Sequence, residues 1–148
     1  MGSEMCIRDR GLDGSADRLT QLLRSEEKLV VFGTAAMWEG VDVPGPALSQ
    51  VVMVRLPFPS PVDPIHSARS DEFDNPFIEY SLPKAILRFR QGFGRLIRGE
   101  NDRGVFTILD SRFVNARYGN EFAGILPDTE IGNATIADAG NIIRGWLN

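Results

Sequence analysis

The feature that most constrains the fold is a helix-like run from Leu82 to Arg98 that contains two glycines. Polar side chains recur along it at helical spacing and share one face, while apolar side chains form a second stripe that can pack on a core. A plain surface helix gains nothing from glycine, which costs roughly 1 kcal/mol relative to alanine. Gly92 and Gly94 therefore indicate close approach by another backbone or by a ligand. The polar face consists of Arg88, Gln91, Arg95 and Arg98.

The chemistry of this face suits phosphate, because guanidinium groups are fixed forks of donors that stay charged at any working pH. Residues 81–103 carry a net charge of +4, whereas the rest of the chain carries −8. Such a positive strip is compatible with binding a nucleotide or a nucleic acid. A solvated helix face and a structural ion-pair seam are the alternatives that the pattern leaves open.

A second informative segment follows the short apolar run Leu29–Phe32, which is typical of a buried parallel strand. The run ends in Gly33 and Thr34 and passes into a glycine- and proline-containing loop. In open α/β sheets ligands bind beyond the carboxyl ends of the strands, so this loop lies where a site is expected. Thr34 offers a hydroxyl group, and Glu39 and Asp42 offer carboxylates. An ordinary turn with solvated acids is the alternative.

Strands alternate with helices along the chain, a pattern that predicts an open parallel α/β sheet with flanking helices. Ser15 and Asp63 are the expected caps of the first and second helices. Three strands alone would expose a sheet edge and apolar surface, so we expect marginal stability. The predicted strands cover residues 29–32, 49–56 and 104–109, and the predicted helices cover 15–24, 64–73, 81–98, 116–126 and 134–147.

Composition narrows the function classes. The 148 residues include one cysteine and one histidine, so we expect no zinc site, no iron–sulfur cluster and no intrachain disulfide. A lone cysteine suits a cytoplasmic protein. No apolar run reaches the roughly 18 residues that a membrane helix needs, so no membrane contact is expected. We divide the chain into a non-native-looking leader at 1–10, a domain at 11–128 and a helical tail at 129–148.

Two long motifs carry a resemblance to a known family. Gly33-Thr34 with 38–45 (Trp-Glu-Gly-Val-Asp-Val-Pro-Gly) and 91–98 (Gln-Gly-Phe-Gly-Arg-Leu-Ile-Arg) resemble motifs V and VI of the DinG/XPD-like DNA helicases of superfamily 2. The segments 56–58 and 108–112 fit the same family, and its bacterial DinG-like branch fits best. The resemblance implies a P-loop NTPase-like fold, the second RecA-like lobe of the motor, with the N-terminal side of that lobe incomplete.

The resemblance also implies roles for particular residues. ATP would lie between two lobes, with Arg95 and Arg98 as arginine fingers and Gln91 near the γ-phosphate or its attacking water. Motif V would contact the nucleotide and single-stranded DNA, although burial in the core is the competing role for its tryptophan. The implied nucleotide-binding residues are Glu39, Gly40 and Asp42, and the implied DNA-binding residues are Gly33, Thr34 and Trp38.

The chain departs from the family in one large respect. It contains neither a Gly-x-x-x-x-Gly-Lys-Ser/Thr loop nor an Asp-Glu-x-His box, so ATP and Mg²⁺ would be held mainly by an N-terminal helicase lobe that is absent here. We therefore expect an ATP-dependent DNA helicase, with a role in DNA repair, only in the full-length protein, and no activity from this chain alone. A non-catalytic nucleic-acid or nucleotide-binding module and an unrelated α/β domain with a protein partner are the alternatives.

Overall fold

The computed structural model describes residues 5–9, 14–26, 28–34, 37, 42–43, 45–98 and 102–147. The chain divides into two compact units, which are described separately. The first unit comprises Met1–Val51, Gly92–Phe106 and Asn141–Asn148, and the second comprises Val52–Gln91 and Thr107–Gly140.

Four short strands form two parallel sheets in the described part of the chain, where one open sheet was predicted. In the first sheet, β1 (Cys6–Asp9) pairs with β2 (Leu29–Phe32), with Cys6 opposite Leu29. In the second, β3 (Gln50–Met53) pairs with β4 (Val105–Ile108). There the Val105 N–H donates to the Ser49 carbonyl at 3.0 Å and the Leu109 N–H to the Met53 carbonyl at 2.9 Å. The residue numbers of donors and acceptors rise together along the two strands, so this pair is also parallel.

β1 is a difference from the sequence analysis, which left residues 1–10 out of the fold. The segment Cys6–Asp9 has no apolar alternation, and only its pairing with β2 makes it a strand. The proposed boundaries at residues 10 and 128 stay predictions. β2 has the predicted bounds, but only half of it is buried. Val30 and Phe32 are 36% and 56% exposed, whereas the alternate residues pack on the core.

The core of the first unit forms under helix α1 (Ala16–Ser25). The Ser15 side chain caps this helix by accepting from the Arg18 N–H at 3.4 Å, as predicted. Leucines at helical spacing then face β2, and α1 buries them because that spacing places them on one stripe. The buried cluster consists of Leu19, Leu23, Met37 and Val43, with Leu22, Leu29, Val31 and Leu48 packed against it.

The second unit contains a capped helix and an aromatic core. Helix α2 (Pro64–Ser70) begins at Asp63, whose carboxylate accepts from the Ile65 and His66 N–H groups at 3.0 and 3.4 Å. A π-helical turn (Phe77–Ser81) leads into α3 (Leu82–Leu96). Phe89 and Phe122 are fully buried and meet edge to face, with ring centroids 5.3 Å apart. Aromatic pairs of this geometry add stability beyond their buried area.

The bounds of the predicted helix at 116–126 are wrong. Two short helices, α4 (Arg112–Asn115) and α5 (Gly119–Ala123), replace it, because Ala116 leaves the helical region with φ −86° and ψ 145°. A Cβ on Gly119 would overlap the Phe113 carbonyl oxygen, so only glycine allows the tight turn between them. The tail helix α6 (Ile136–Leu147) lies within the predicted tail.

The predicted helix 81–98 is also shortened, because α3 ends at Leu96. The Ile97 N–H still donates to the Phe93 carbonyl at 3.2 Å, but the Arg98 N–H donates to the Asp102 carboxylate at 2.9 Å. This side-chain acceptor replaces the next helical bond, so Arg98 lies beyond the helix rather than on its face.

Candidate functional site

The turn that follows β2 is fixed by close packing. A Cβ on Gly33 would overlap the Met37 sulfur, so this position requires glycine. The Met37 N–H donates to the Thr34 carbonyl at 2.9 Å, which closes the turn. Met37 is buried, whereas Gly33 and Thr34 are exposed. The packing therefore holds the Thr34 segment at the carboxyl end of β2, the edge of the sheet at which a ligand contact was expected.

Val43 is 1% exposed and belongs to the α1–β2 core. Asp42 precedes it and points into solvent, with 63% of its side chain exposed. Its position is set because Val43 is fixed beside it. The predicted site residues Trp38, Glu39 and Gly40 lie outside the described residues.

Asp42 lies between two arginines. The Arg98 Nη1 forms an ion pair with Asp42 Oδ1. Arg24, in the last turn of α1, donates from Nε to the Asp42 carbonyl at 2.9 Å, and its Nη2 lies 3.4 Å from Asp42 Oδ2. The Arg24 and Arg98 side chains are 47% and 27% exposed. The three groups carry a net charge of +1 at the surface, so together they favour an anion.

Arg95 lies near the end of α3, between the buried residues Phe93 and Leu96, and is itself half-buried. Its Nε is buried and has no hydrogen-bond partner among the residues that the structure describes. A buried donor without a partner costs roughly 1–3 kcal/mol, and more when the group is charged. An acceptor oxygen from outside the described chain would remove that cost, which makes Arg95 a strong candidate for contact with an anionic ligand.

Gln91 is exposed on α3, four residues before Arg95. Of the predicted site residues, the structure brings together Asp42 and Arg98. Gly92 is buried, as close approach predicts. Gly94 is exposed and a Cβ there would meet open space, so packing within the described chain does not explain it.

Sequence reasoning missed Arg24 and Asp102. Arg24 was assigned only to the end of a helix, and nothing in the local pattern links it to Asp42, eighteen residues further on. Asp102 gave a weak signal, since a carboxylate four residues after Arg98 can accept from its backbone N–H.

A second polar cluster joins the segments 56–58 and 108–112 by hydrogen bonds. Asp110 is 8% exposed and accepts from the Leu56 N–H at 2.9 Å. Its carboxylate also receives the Arg112 Nε and Nη2 at 2.9 and 2.6 Å. The Arg112 hydrogen bonds hold the pKa of the Asp110 carboxyl well below its usual range, against the opposing effect of burial. This cluster is a structural tie between the ends of β3 and β4.

Two general findings concern the described residues only. They contain no group of three or more histidine, cysteine, aspartate or glutamate side chains placed to hold a metal ion. No helix among them is long and apolar enough to cross a membrane.

The chain is similar in sequence to several bacterial proteins. It is 40% identical over 136 residues to the 3'-5' exonuclease DinG of Bacillus subtilis (strain 168), and the aligned region covers 89% of this chain and 15% of that protein. It is 43% identical over 119 residues to the ATP-dependent helicase DinG of Mycobacterium tuberculosis (strain ATCC 25177 / H37Ra), covering 78% and 18%. It is 43% identical over 117 residues to the ATP-dependent DNA helicase YoaA of Escherichia coli (strain K12), covering 76% and 18%.

The chain thus spans less than a fifth of the length of these relatives. The sequence profile of the helicase C-terminal domain matches residues 4–129, a range that includes β1, both motifs and the Asp110 cluster. The small parallel sheets and flanking helices agree with the RecA-like fold of that domain, so the predicted α/β class is confirmed. On this match the chain belongs to the helicase C-terminal domain family, as part of a DinG-like helicase.

Proposed function

We propose that this chain acts as the second motor lobe of an ATP-dependent DNA helicase that moves on single-stranded DNA. Membership of the helicase C-terminal domain family supports this proposal, as do the names of the Mycobacterium and Escherichia relatives. The 148 residues contain no phosphate-binding loop of the Gly-x-x-x-x-Gly-Lys-Ser/Thr type, so the chain needs a first lobe for catalysis. By itself it should not hydrolyse ATP.

The observation that carries the proposal is the orphaned Nε of Arg95. Within the residues that the structure describes, the half-buried Arg95 has a buried Nε without a partner, so phosphate oxygens would supply the acceptor that this donor lacks. We assign Arg95 and Arg98 as arginine fingers that stabilise negative charge on the γ-phosphoryl group during transfer. Gln91 would hold the γ-phosphate or the attacking water. Arginine fingers contribute roughly 10³–10⁵ in rate in other nucleotide hydrolases.

Asp42 gives the proposal a coupling step. Its carboxylate is paired with Arg98 Nη1, and a γ-phosphate would compete for this donor. If the phosphate bound Arg98, the Arg98–Asp42 ion pair would break and the Arg24–Asp42 ion pair would remain. The ion pairs of motif V would therefore depend on whether the nucleotide is bound. The pair is partly exposed, so the exchange costs little, on the order of 1 kcal/mol or less. Glu39 and Gly40 of the same loop would complete the contact with the nucleotide.

The DNA contact would come from the other end of motif V. Thr34 is exposed at the carboxyl end of β2, on a turn that Gly33 and Met37 hold in place. Its hydroxyl and backbone are suited to a phosphate of single-stranded DNA, and Trp38 would lie near a base. Because Thr34 and Asp42 are only eight positions apart in the sequence, DNA and nucleotide contacts would be mechanically linked.

The arginine side chains described above fit the phosphates of ATP. Mg²⁺ needs several oxygen ligands, and we assign those to the first lobe together with the phosphate-binding loop. The bound metal would draw charge from the γ-phosphate oxygens. This chain would bind and orient the phosphates through Arg95, Arg98 and Gln91, and would exclude water beside the half-buried Arg95.

The test is Arg95→Ala in the full-length protein. DNA-stimulated ATP hydrolysis should fall by about three orders of magnitude, while binding of single-stranded DNA stays within about twofold of wild type. Arg90→Ala is the matched control, because Arg90 is an exposed arginine on the same helix. Full turnover by the Arg95 variant would refute the finger assignment. Equal losses in both variants would show a general charge effect instead.

A further inference from the structure

A groove lies in the second unit where β3 and β4 end. It has a volume of about 390 Å³ and is widely open to solvent. Open α/β sheets bind ligands at this edge, beyond the carboxyl ends of their strands. None of the residues that line it belongs to the site assigned above. They are Val54, Arg55, Leu109, Asp110, Ser111 and Arg112.

The groove has two cationic side chains with different surroundings. Arg55 is exposed and makes no hydrogen bond or ion pair with any residue that the structure describes. Arg112 is 47% exposed and is held by Asp110 on one side, with its guanidinium carbon 5.5 Å from the centre of the Phe58 ring. One cation is therefore fixed and the other is free to bind a ligand.

The Asp110 carboxylate is the one negative group in the lining, and it is already satisfied. It is only 8% exposed and accepts hydrogen bonds from Arg112 and from the Leu56 N–H. Its charge is thus largely neutralised by Arg112. The lining as a whole carries +1, because it contains Arg55 and Arg112 but only one carboxylate. A positive group in a concave surface favours an anion.

The walls of the groove restrict which anion fits. Val54 and Leu109 give the mostly polar lining a small apolar part, so a ligand that covers them removes some apolar surface from water. The Ser111 hydroxyl, which makes no capping hydrogen bond to α4, adds a polar group beside them. A phosphate attached to a sugar matches this lining better than a bare inorganic ion.

We infer that this groove binds the phosphate group of a nucleotide unit, with Arg55 and the Ser111 hydroxyl on the phosphate and Val54 and Leu109 against the sugar. The phosphate can belong to a nucleic-acid backbone or to a free nucleotide. The inference rests on the proposed helicase function in one respect: a helicase would meet both nucleic acid and nucleotides. It would extend the DNA contact of motif V to a second position on the domain.

The test measures binding of the chain to a fluorescein-labelled oligothymidine by anisotropy at several salt concentrations. Arg55→Gln should weaken binding about two- to fivefold at low salt. It should also reduce the slope of log affinity against log salt by about 0.7, the value for one phosphate contact on a single strand. Arg55→Lys should keep the slope, because it keeps the charge. Arg117→Gln is the control, an exposed arginine of the same unit outside the groove.

In a parallel measurement, ATP and inorganic phosphate compete with the labelled oligothymidine for the chain. This measurement distinguishes a nucleic-acid backbone from a free nucleotide as the source of the bound phosphate. Dependence on Arg55 in the oligonucleotide assay assigns the groove to a nucleic-acid backbone, and dependence with ATP alone assigns it to a free nucleotide. The inference is overturned if Arg55→Gln behaves like Arg117→Gln with every ligand, or if the wild-type chain binds none of them. The helicase proposal is judged separately, because Arg95→Ala tests hydrolysis and leaves the groove intact.

Discussion

Substitution of Asp110 tests whether one buried carboxylate ties the ends of β3 and β4 together. Asp110 is 8% exposed, and Leu56, whose N–H it accepts, is 3% exposed. Asp110→Ala leaves that N–H without its acceptor and leaves Arg112 without its partner. Asp110→Asn keeps a side-chain oxygen for Leu56 but removes the negative charge that holds Arg112. The two variants therefore separate the hydrogen bond from the ion pair.

The expected costs follow from burial. An unsatisfied buried N–H costs roughly 1–3 kcal/mol. The ion pair adds at most about 1 kcal/mol, because Arg112 is 47% exposed and solvent screens its charge. The free energy of unfolding should thus fall by about 1–4 kcal/mol in Asp110→Ala. It should fall by about 1 kcal/mol in Asp110→Asn, where mainly the charge is lost.

The effect of charge should depend on pH in one direction. The Arg112 guanidinium holds the pKa of Asp110 below that of the unfolded chain, near 3.9 for an ordinary aspartate. A lowered folded pKa adds stability that is fully present above the unfolded pKa and is lost as pH falls towards the folded pKa. The difference between wild type and Asp110→Asn should therefore be constant near pH 7 and should shrink below about pH 4.

Urea unfolding followed by circular dichroism measures these quantities, from pH 7 down to about pH 3. Asp128→Asn is the control, since Asp128 is exposed and makes no hydrogen bond or ion pair within the described residues. If Asp110→Ala costs no more than Asp128→Asn, the tie between the strand ends carries no stability. A wild-type advantage over Asp110→Asn that grows on acidification would refute the pH argument.

Two further substitutions test other parts of the structure. Asp42→Ala should lower the free energy of unfolding by less than about 1 kcal/mol, because its ion pairs are exposed, yet it should reduce DNA-stimulated ATP hydrolysis in the full-length protein. Unchanged hydrolysis, measured by phosphate release, would exclude Asp42 from coupling. Gly119→Ala should cost about 1–3 kcal/mol in urea unfolding, because its Cβ overlaps the Phe113 carbonyl. The control Gly140→Ala, in α6 with open space around it, should be neutral or stabilising by up to roughly 1 kcal/mol, and equal costs would contradict the packing argument.

Local signals predicted the parts of the fold that depend on neighbours in sequence. Ser15 and Asp63 cap the first two helices as expected, because a cap needs only its own side chain and the next N–H groups. The β2 strand has the predicted bounds, since a short β-branched run before glycine is a strong local pattern. The two motifs, read as a resemblance, predicted the family that the profile match confirms.

Features that depend on distant partners could not be predicted. β1 is a strand because β2 pairs with it, and Arg24 reaches Asp42 only after α1 and the motif V loop pack on the same core. Arg98 leaves its helix because Asp102 takes its N–H, although the apolar period continues to Ile97. In each case tertiary contacts override the local preference of the chain.

The exposed row on the first sheet has a practical consequence. Ile7 and Val30 are paired neighbours, and Phe32 follows on the same face, at 57%, 36% and 56% exposure. Exposing apolar side chains to water is unfavourable in proportion to their accessible area, so association that buries these side chains is favoured. Material purified as this segment alone should self-associate as its concentration rises, and mild detergent should reverse that association. Binding assays on the segment therefore belong at low protein concentration.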